Sequence, residues 1–286
     1  MPSVTRIHSS DAEVYIDTNR LNAVQSFSYE NSKSFSEIRK LGSYEIENRI
    51  LNADQPINST VNFLVTDYIL ENTANRLDLL SLQTYTLKLV ETAGTTTLSN
   101  SYLNNYNLNF SVGELAQGSY GFISDSISTS SDVFSATSND FNVFRPQDMT
   151  VTTTLDEGIN SSDYAIQNCS ISIPIERTAT IRAGSRSPKR RYPVLPAQGT
   201  VSFSVIKRNV ETVDLSNLIL KKGKLQFDIS NTILGSESTY GTLNIDVYQC
   251  SLISINNGNT LDGNATLDFN YTFPISNSAV DYFFSS

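Results

Sequence analysis

The sequence predicts a mainly β chain of two tandem modules, each a small sandwich or barrel with one short helix and a long extended arm. Three observations predict it. The first is composition. Fourteen Phe and fourteen Tyr, with many Val, Ile and Leu, supply strand-forming core residues in a chain with no Trp. The second is polarity. Apolar residues make up 39% and charged residues 17%, below the globular averages of roughly 45–50% and about 25%. Ser, Thr and Asn fill the difference, so the chain is neither a charge-rich disordered tail nor a spanning-helix protein. The third is an internal repeat, and a length of 286 residues accommodates two domains.

The repeat is an ordered series of short matches. Val24-Gln-Ser-Phe-Ser-Tyr29 matches Ile166-Gln-Asn-Cys-Ser-Ile171, and Lys40-Leu-Gly-Ser43 matches Arg182-Ala-Gly-Ser185, both at a shift of 142. Asn58-Ser-Thr-Val-Asn-Phe-Leu-Val65 falls on Gln198-Gly-Thr-Val-Ser-Phe-Ser-Val205 at a shift of 140. Tyr85–Leu89 then meets Lys224–Ile229, Tyr102 lies near Tyr248, and Gly118–Phe122 near Gly263–Phe269. The expected division is a first module over 1–140, a linker over 141–160 and a second module over 161–286.

Each module is expected to open on a strand around Leu21–Tyr29 or Ile171–Ile175. Long excursions around a glycine follow, over 36–58 and 177–199. Next come strands with strict Val/Phe/Val alternation, over 60–66 and 200–206. After the first of these, Leu70, Ala74, Leu77, Leu80 and Leu82 stand at helical spacing, with Asp67 as N-cap. The spacing predicts a helix over 67–82 and a shorter helical turn over 210–219. Four-strand meanders close the modules, over 84–91, 95–99, 102–112 and 119–127, and over 224–230, 241–249, 250–256 and 265–273.

Charge excludes some functions. The formal net charge is −9, which argues against a general nucleic-acid-binding surface. The imbalance sits in residues 1–150, with nine basic and seventeen acidic residues, whereas 151–286 has eleven and twelve. Two cysteines, Cys169 and Cys250, are too few for a disulfide scaffold and read as buried free thiols. The opening stretch lacks the apolar core of a signal peptide, so synthesis in the cytoplasm is expected, and six Asn-x-Ser/Thr sequons are discounted accordingly. No apolar run approaches the roughly 20 residues of a spanning helix.

Catalytic chemistry has little support. His8 is the only histidine, which removes Ser-His-Asp and Cys-His arrangements and, with two cysteines, a typical zinc site. Gly113, Gly118 and Gly121 have turn spacing inside β structure and form no phosphate loop. Asp11, Glu13 and Asp17 alternate on a strand and read as a solvated face, with weak calcium binding as the lesser reading. No enzyme activity, cofactor or metal is expected.

The two excursions carry opposite charge. The first holds Glu45, Glu47 and Asp54, and the second holds Arg186, Lys189, Arg190 and Arg191. A solvated loop and a nucleic-acid patch are the competing readings. The favoured one is an assembly contact in which one arm meets a complementary arm or surface.

With these segments in order, the chain resembles a bacteriophage tail tube protein. The resemblance rests on the opening strand Val24–Tyr29, the Leu41-Gly42 corner, the arm, the Thr60-Val-Asn-Phe63 strand with its following helix, and a closing pair. That pair runs from Tyr106-Asn-Leu-Asn-Phe-Ser-Val-Gly113 to Gly118-Ser-Tyr-Gly-Phe122. It covers roughly 10–127 and 160–275. It implies a structural subunit of the virion tail, made in the bacterial host cytoplasm, whose modules close side by side into rings that stack into a tube. Two modules per chain imply a trimer with pseudo-six-fold symmetry. DNA would pass through the lumen without specific binding, and the partners would be the chain itself and other tail proteins, with no membrane. A baseplate hub or tube-end protein is the alternative within the same family, and a β-rich receptor-binding or adhesion module the alternative from another class.

Overall fold

The computed structural model describes residues 12–32, 35–39, 46–51, 56–66, 80, 82, 84–132, 143, 145–153, 164–181, 183, 188–207, 222–232, 239–258, 266–275 and 280–285. The expected helix over 67–82 and the turn over 210–219 lie almost wholly outside the described residues, as does His8. What is described is mainly β and antiparallel.

The first half supplies β1 (Ala12–Ile16), β2 (Asn19–Leu21), β3 (Val24–Glu30), β4 (Phe35–Arg39), β5 (Ile46–Leu51), β6 (Ile57–Leu64), β7 (Tyr85–Glu91), β8 (Gly94–Ser111), β9 (Gln117–Ser124) and β10 (Ser126–Ser130). The rest supplies β11 (Pro146–Thr153), β12 (Tyr164–Pro174), β13 (Arg177–Thr180), β14 (Arg190–Pro193), β15 (Gln198–Lys207), β16 (Lys222–Thr232), β17 (Thr239–Gly258), β18 (Thr266–Pro274) and β19 (Val280–Ser285). Fifteen of these strands form one hydrogen-bonded network; β4–β5 and β13–β14 form separate two-stranded hairpins.

Period-two patterning drives the strands into place. In β6 the inward set Ile57, Ser59, Val61 and Phe63 is buried and the alternate Asn58, Thr60 and Asn62 are exposed. Val201, Phe203 and Val205 of β15 do the same. The buried apolar residues of both halves join into one core.

The two longest strands organise everything else. Residues 94–101 of β8 pair with β7 and residues 95–99 with β10, while 102–109 pair with β9 and 105–111 with β12. β17 likewise pairs with β16 and β19 along its first part and with β18 along its last. Each was expected as two strands, broken near 100 and 250. Each is instead one strand with a local corner: Asn100 and Gln249 adopt positive φ, 53° and 57°. Asparagine tolerates that region, while glutamine is held there by its surroundings. At these corners a single chain segment leaves one layer and enters the next. Edge-on packing of Tyr85 on Phe122, and of Phe203 on Phe227, fastens the layers together.

Strand neighbours run in the same order in both halves. β3–β6–β9–β8–β7–β1 in the first reads β12–β15–β18–β17–β16–β11 in the second. The irregularities coincide as well. An extra residue interrupts the ladder at Gln25 and at Gln167 and at Asn104 and at Ile253, and two residues of the long strand face the single Thr86 or Lys224 of its partner. The registers superpose at a shift of 142 for β3 and β6, and of 149 for β8 and β9. Val61 thus corresponds to Phe203 and Phe63 to Val205, two residues away from the sequence matching at 140. The 141–160 stretch, expected as a linker, contains β11, which pairs with β16 over seven residue pairs.

Candidate assembly interface

The halves meet edge to edge. β12 pairs with β8 in antiparallel register from Asn168↔Ser111 to Pro174↔Asn105. Alternation puts Cys169, Ile171 and Ile173 of β12 opposite Phe110, Leu108 and Tyr106 of β8 on the buried face, none more than 3% exposed. Ser170 and Ser172 stand opposite Asn109 and Asn107 on the other face. The backbone ladder supplies direction and the apolar face supplies free energy, about 25 cal/mol for each Å² of apolar surface removed from water. Two further hydrogen bonds extend the seam, from Ile175 N–H to Asn104 O at 2.7 Å and from Val112 N–H to Gln167 O at 2.9 Å.

The second arm strengthens this seam from one side. β13 and β14 pair from Arg177↔Pro193 to Thr180↔Arg190, and Lys189 N–H donates to Thr180 O at 2.9 Å. Strand alternation sends Arg177 and Arg191 inward, where they are 8% and 5% exposed. Arg177 Nε donates to Leu103 O at 2.6 Å, and its guanidinium lies 5.4 Å from the centre of the Tyr102 ring. Arg191 grips Asp125 through Nε at 2.9 Å and Nη2 at 2.8 Å, a charge-assisted arrangement matched to the fork of a guanidinium. Burial pushes the Asp125 carboxyl above its ordinary value, opposed by the hydrogen bond and charge of Arg191.

The predicted arm residues therefore divide. Arg191 is occupied by Asp125 of the first half. Arg190, its neighbour, points outward and is exposed, as is Lys189. Ile181, Tyr192, Val194 and Leu195 expose apolar surface around them. Arg186 lies outside the described residues. In the first arm β4 and β5 pair from Phe35↔Leu51 to Arg39↔Ile46, and Glu47 is the extra residue of a bulge in that hairpin. Glu45 and Asp54 lie outside the described residues. Nothing in the sequence around Asp125 advertised the Arg191 pair. One signal was legible, since strand alternation across Arg190-Arg191 allows only one of the two to face out.

Asp17 and Glu13 are not a solvated face. Glu13 is buried and bridges Arg20 at 3.0 Å while accepting from Tyr15 at 2.6 Å. Asp17, at φ 55°, accepts from Thr86 N–H at 2.7 Å and so tethers the β1–β2 turn to β7. Both carboxylates have structural partners. Among the described residues no cluster of three or more metal-ligating side chains occurs, and no helix is long and apolar enough to cross a membrane. Cys169 and Cys250 are buried free thiols, as expected. A small cleft of about 20 Å³ between β1, β7 and β3, lined by Val14, Val24, Phe27 and Leu89, has room for about one water.

No protein-family model matches this sequence, and no curated protein matches it at significant similarity.

Proposed function

We propose that this chain is a structural subunit of a bacteriophage tail tube, built from two tandem copies of one β module that assemble edge to edge. The observation that carries the reading is the seam between β8 and β12, where one half extends the sheet of the other. Two modules that already join by strand pairing have the geometry from which a ring of modules is made. Coincident bulges and the Asn100/Gln249 corners support a duplication of sandwich-like modules. On this reading three chains close a pseudo-six-fold ring, rings stack through the arms, and the acidic chain lets DNA pass without adhering. The subunit acts as scaffold in the virion tail, with no catalytic step.

Negative-stain electron microscopy of concentrated protein, beside light scattering of a dilute sample, tests the proposal. Hollow tubes or stacked rings, with a trimer mass at low concentration, are the expected result. Rings that never stack would move the role to a tube end or baseplate hub. A monomer that binds a glycan or a surface protein and never assembles would overturn the reading in favour of an adhesion module.

A further inference from the structure

We infer that β3 of one copy pairs with the last part of β17 of a second copy, reproducing between chains the seam that β12 makes with β8 within one. The inference rests on reading the two halves as equivalent modules. β12 corresponds to β3 at a shift of 142, and β8 to β17 at a shift of 149. The two strands that meet in the internal seam thus have counterparts at the two ends of the pairing order. Among the described residues both counterparts are edges. β3 pairs only with β6, and residues 252–258 of β17 pair only with β18. An open strand edge is a template for another strand.

Burial at these edges agrees. Tyr29 corresponds to Ile171 and Ile255 to Tyr106. Ile171 and Tyr106 are 0% and 3% exposed under the internal seam, whereas Tyr29 and Ile255 are only partly covered by the core they pack against. A second copy would complete the covering of both. Because β3 and β17 are different surfaces, the contact is head-to-tail, which closes into a ring or continues as a filament.

Carrying the internal register across fixes the new one. Ser170↔Asn109 and Ser172↔Asn107 become Ser28↔Gly258 and Glu30↔Asn256. The face that is buried in the internal seam then pairs Asn31 with Ile255, more polar than the internal Ile173–Tyr106 pair. This seam is therefore weaker than the internal one, so the trimer comes apart into single chains on further dilution and re-forms as concentration rises.

The test is a pair of cysteine variants of the full chain. Glu30 and Asn256 are both exposed, so E30C/N256C places two thiols face to face across the inferred seam. The control E30C/D268C uses Asp268, the exposed partner of Asn256 on β18. One strand further away, it stands about 10 Å from position 30, beyond the roughly 7 Å a disulfide spans. The native thiols are buried and pushed up by burial, so they do not compete. Under mild oxidation E30C/N256C is expected to yield reducible multimers at least about tenfold more than the control. Hydrogen exchange on the unaltered chain, which does not depend on either variant folding, is expected to slow in 26–30 and 254–258 as concentration rises. Equal cross-linking of both pairs, rings or tubes with neither cross-link nor slowed exchange, or a chain that stays monomeric at every concentration would each overturn the inference. Cross-linked multimers that never form a tube would uphold the seam and overturn the tail-tube reading; tubes without the cross-link would do the reverse.

Discussion

At the corner of its long strand the first half carries a serine and the second a cysteine. Ser101 Oγ donates to Leu98 O at 3.3 Å and shares a 2.7 Å hydrogen bond with Ser124 Oγ. Cys250 Sγ, in the corresponding place, reaches Val247 O at 3.5 Å, and Phe273 occupies the place that corresponds to Ser124. Both side chains are buried. The same backbone corner thus holds a hydrogen-bonded pair of serines in one half and, at the corresponding positions, a cysteine and a phenylalanine in the other. What the two halves share is hydrogen-bond geometry, and what they vary is the chemistry filling it. The seam shows the same contrast from outside: its ladder is regular, yet the residues fastening its flank, Arg177 and Arg191, come from one arm alone.

The largest expected effect comes from breaking that fastening. Arg191→Ala leaves the Asp125 carboxylate buried with its guanidinium removed, and loss of one partner of a buried pair costs about 3–5 kcal/mol. Urea denaturation is expected to show the loss. Replacing both partners, with Arg191→Met and Asp125→Leu, removes the orphaned charge and is expected to recover most of it. If the single and double variants lost the same stability, the pair would not be what joins the halves there. The sign of the pH response follows from the raised carboxyl of Asp125. The folded state holds that proton more tightly than the unfolded one. The group's contribution is therefore full below the ordinary carboxylate value and falls as pH rises through the raised one. Asp125→Asn is expected to flatten that part of the stability–pH curve.

A middle-sized effect is expected at two glycines that the halves place differently. A Cβ on Gly118 would stand 2.3 Å from Phe63 Cζ, and one on Gly199 would stand 2.3 Å from Phe273 Cζ. In each case the ring lies over its direct cross-strand partner. These glycines are not at corresponding positions; the first half puts its glycine in β9 and the second in β15. Gly118→Ala and Gly199→Ala are each expected to cost about 1–3 kcal/mol by overpacking. Alanine at the corresponding places without such a ring, Leu267 and Ile57, would instead leave a cavity. Combining Gly118→Ala with Phe63→Leu is expected to restore stability, which thermal melts would resolve. No recovery would mean that the backbone, and not the ring, sets the requirement.

Much of this comparison was legible in the sequence, with a characteristic error. Val24–Tyr29 and Ile166–Ile171 align at the right shift because each carries the glutamine of its bulge, Gln25 or Gln167. Bulges interrupt the period of two and so mark register. The Val-Asn-Phe and Val-Ser-Phe strands contain no such mark. A period-two pattern slides onto itself by two residues without penalty, so like residues align at 140 instead of 142. Phe122 against Phe269 is the same slip; the register sets Phe122 against Tyr271. The Asp125–Arg191 pair was hidden because its partners lie on elements 66 residues apart in sequence, and nothing local to either encodes the other. The continuity of β8 and β17 was hidden because Asn100 and Gln249 read as breaks.

The smallest effects are expected at the two corners themselves. Cys250→Ser sets a hydroxyl where Val247 O is the near acceptor and no counterpart of Ser124 exists. Ser101→Cys breaks the existing Ser124 hydrogen bond while keeping the volume nearly constant. Each exchange is expected to cost about 1 kcal/mol, the net worth of a typical hydrogen bond. The thiols give an independent reading of the same packing. Burial drives the Cys250 thiol up to about 12 and raises that of Cys169 as well, so neither is a nucleophile near neutrality. A disulfide reagent at pH 8 is expected to titrate fewer than one thiol per folded chain and two in denaturant. If the corner opened independently of the seam, Cys250 would react well before Cys169, which lies in the seam itself. Reaction of both at one common rate, tracking global unfolding, would instead make corner and seam a single cooperative unit.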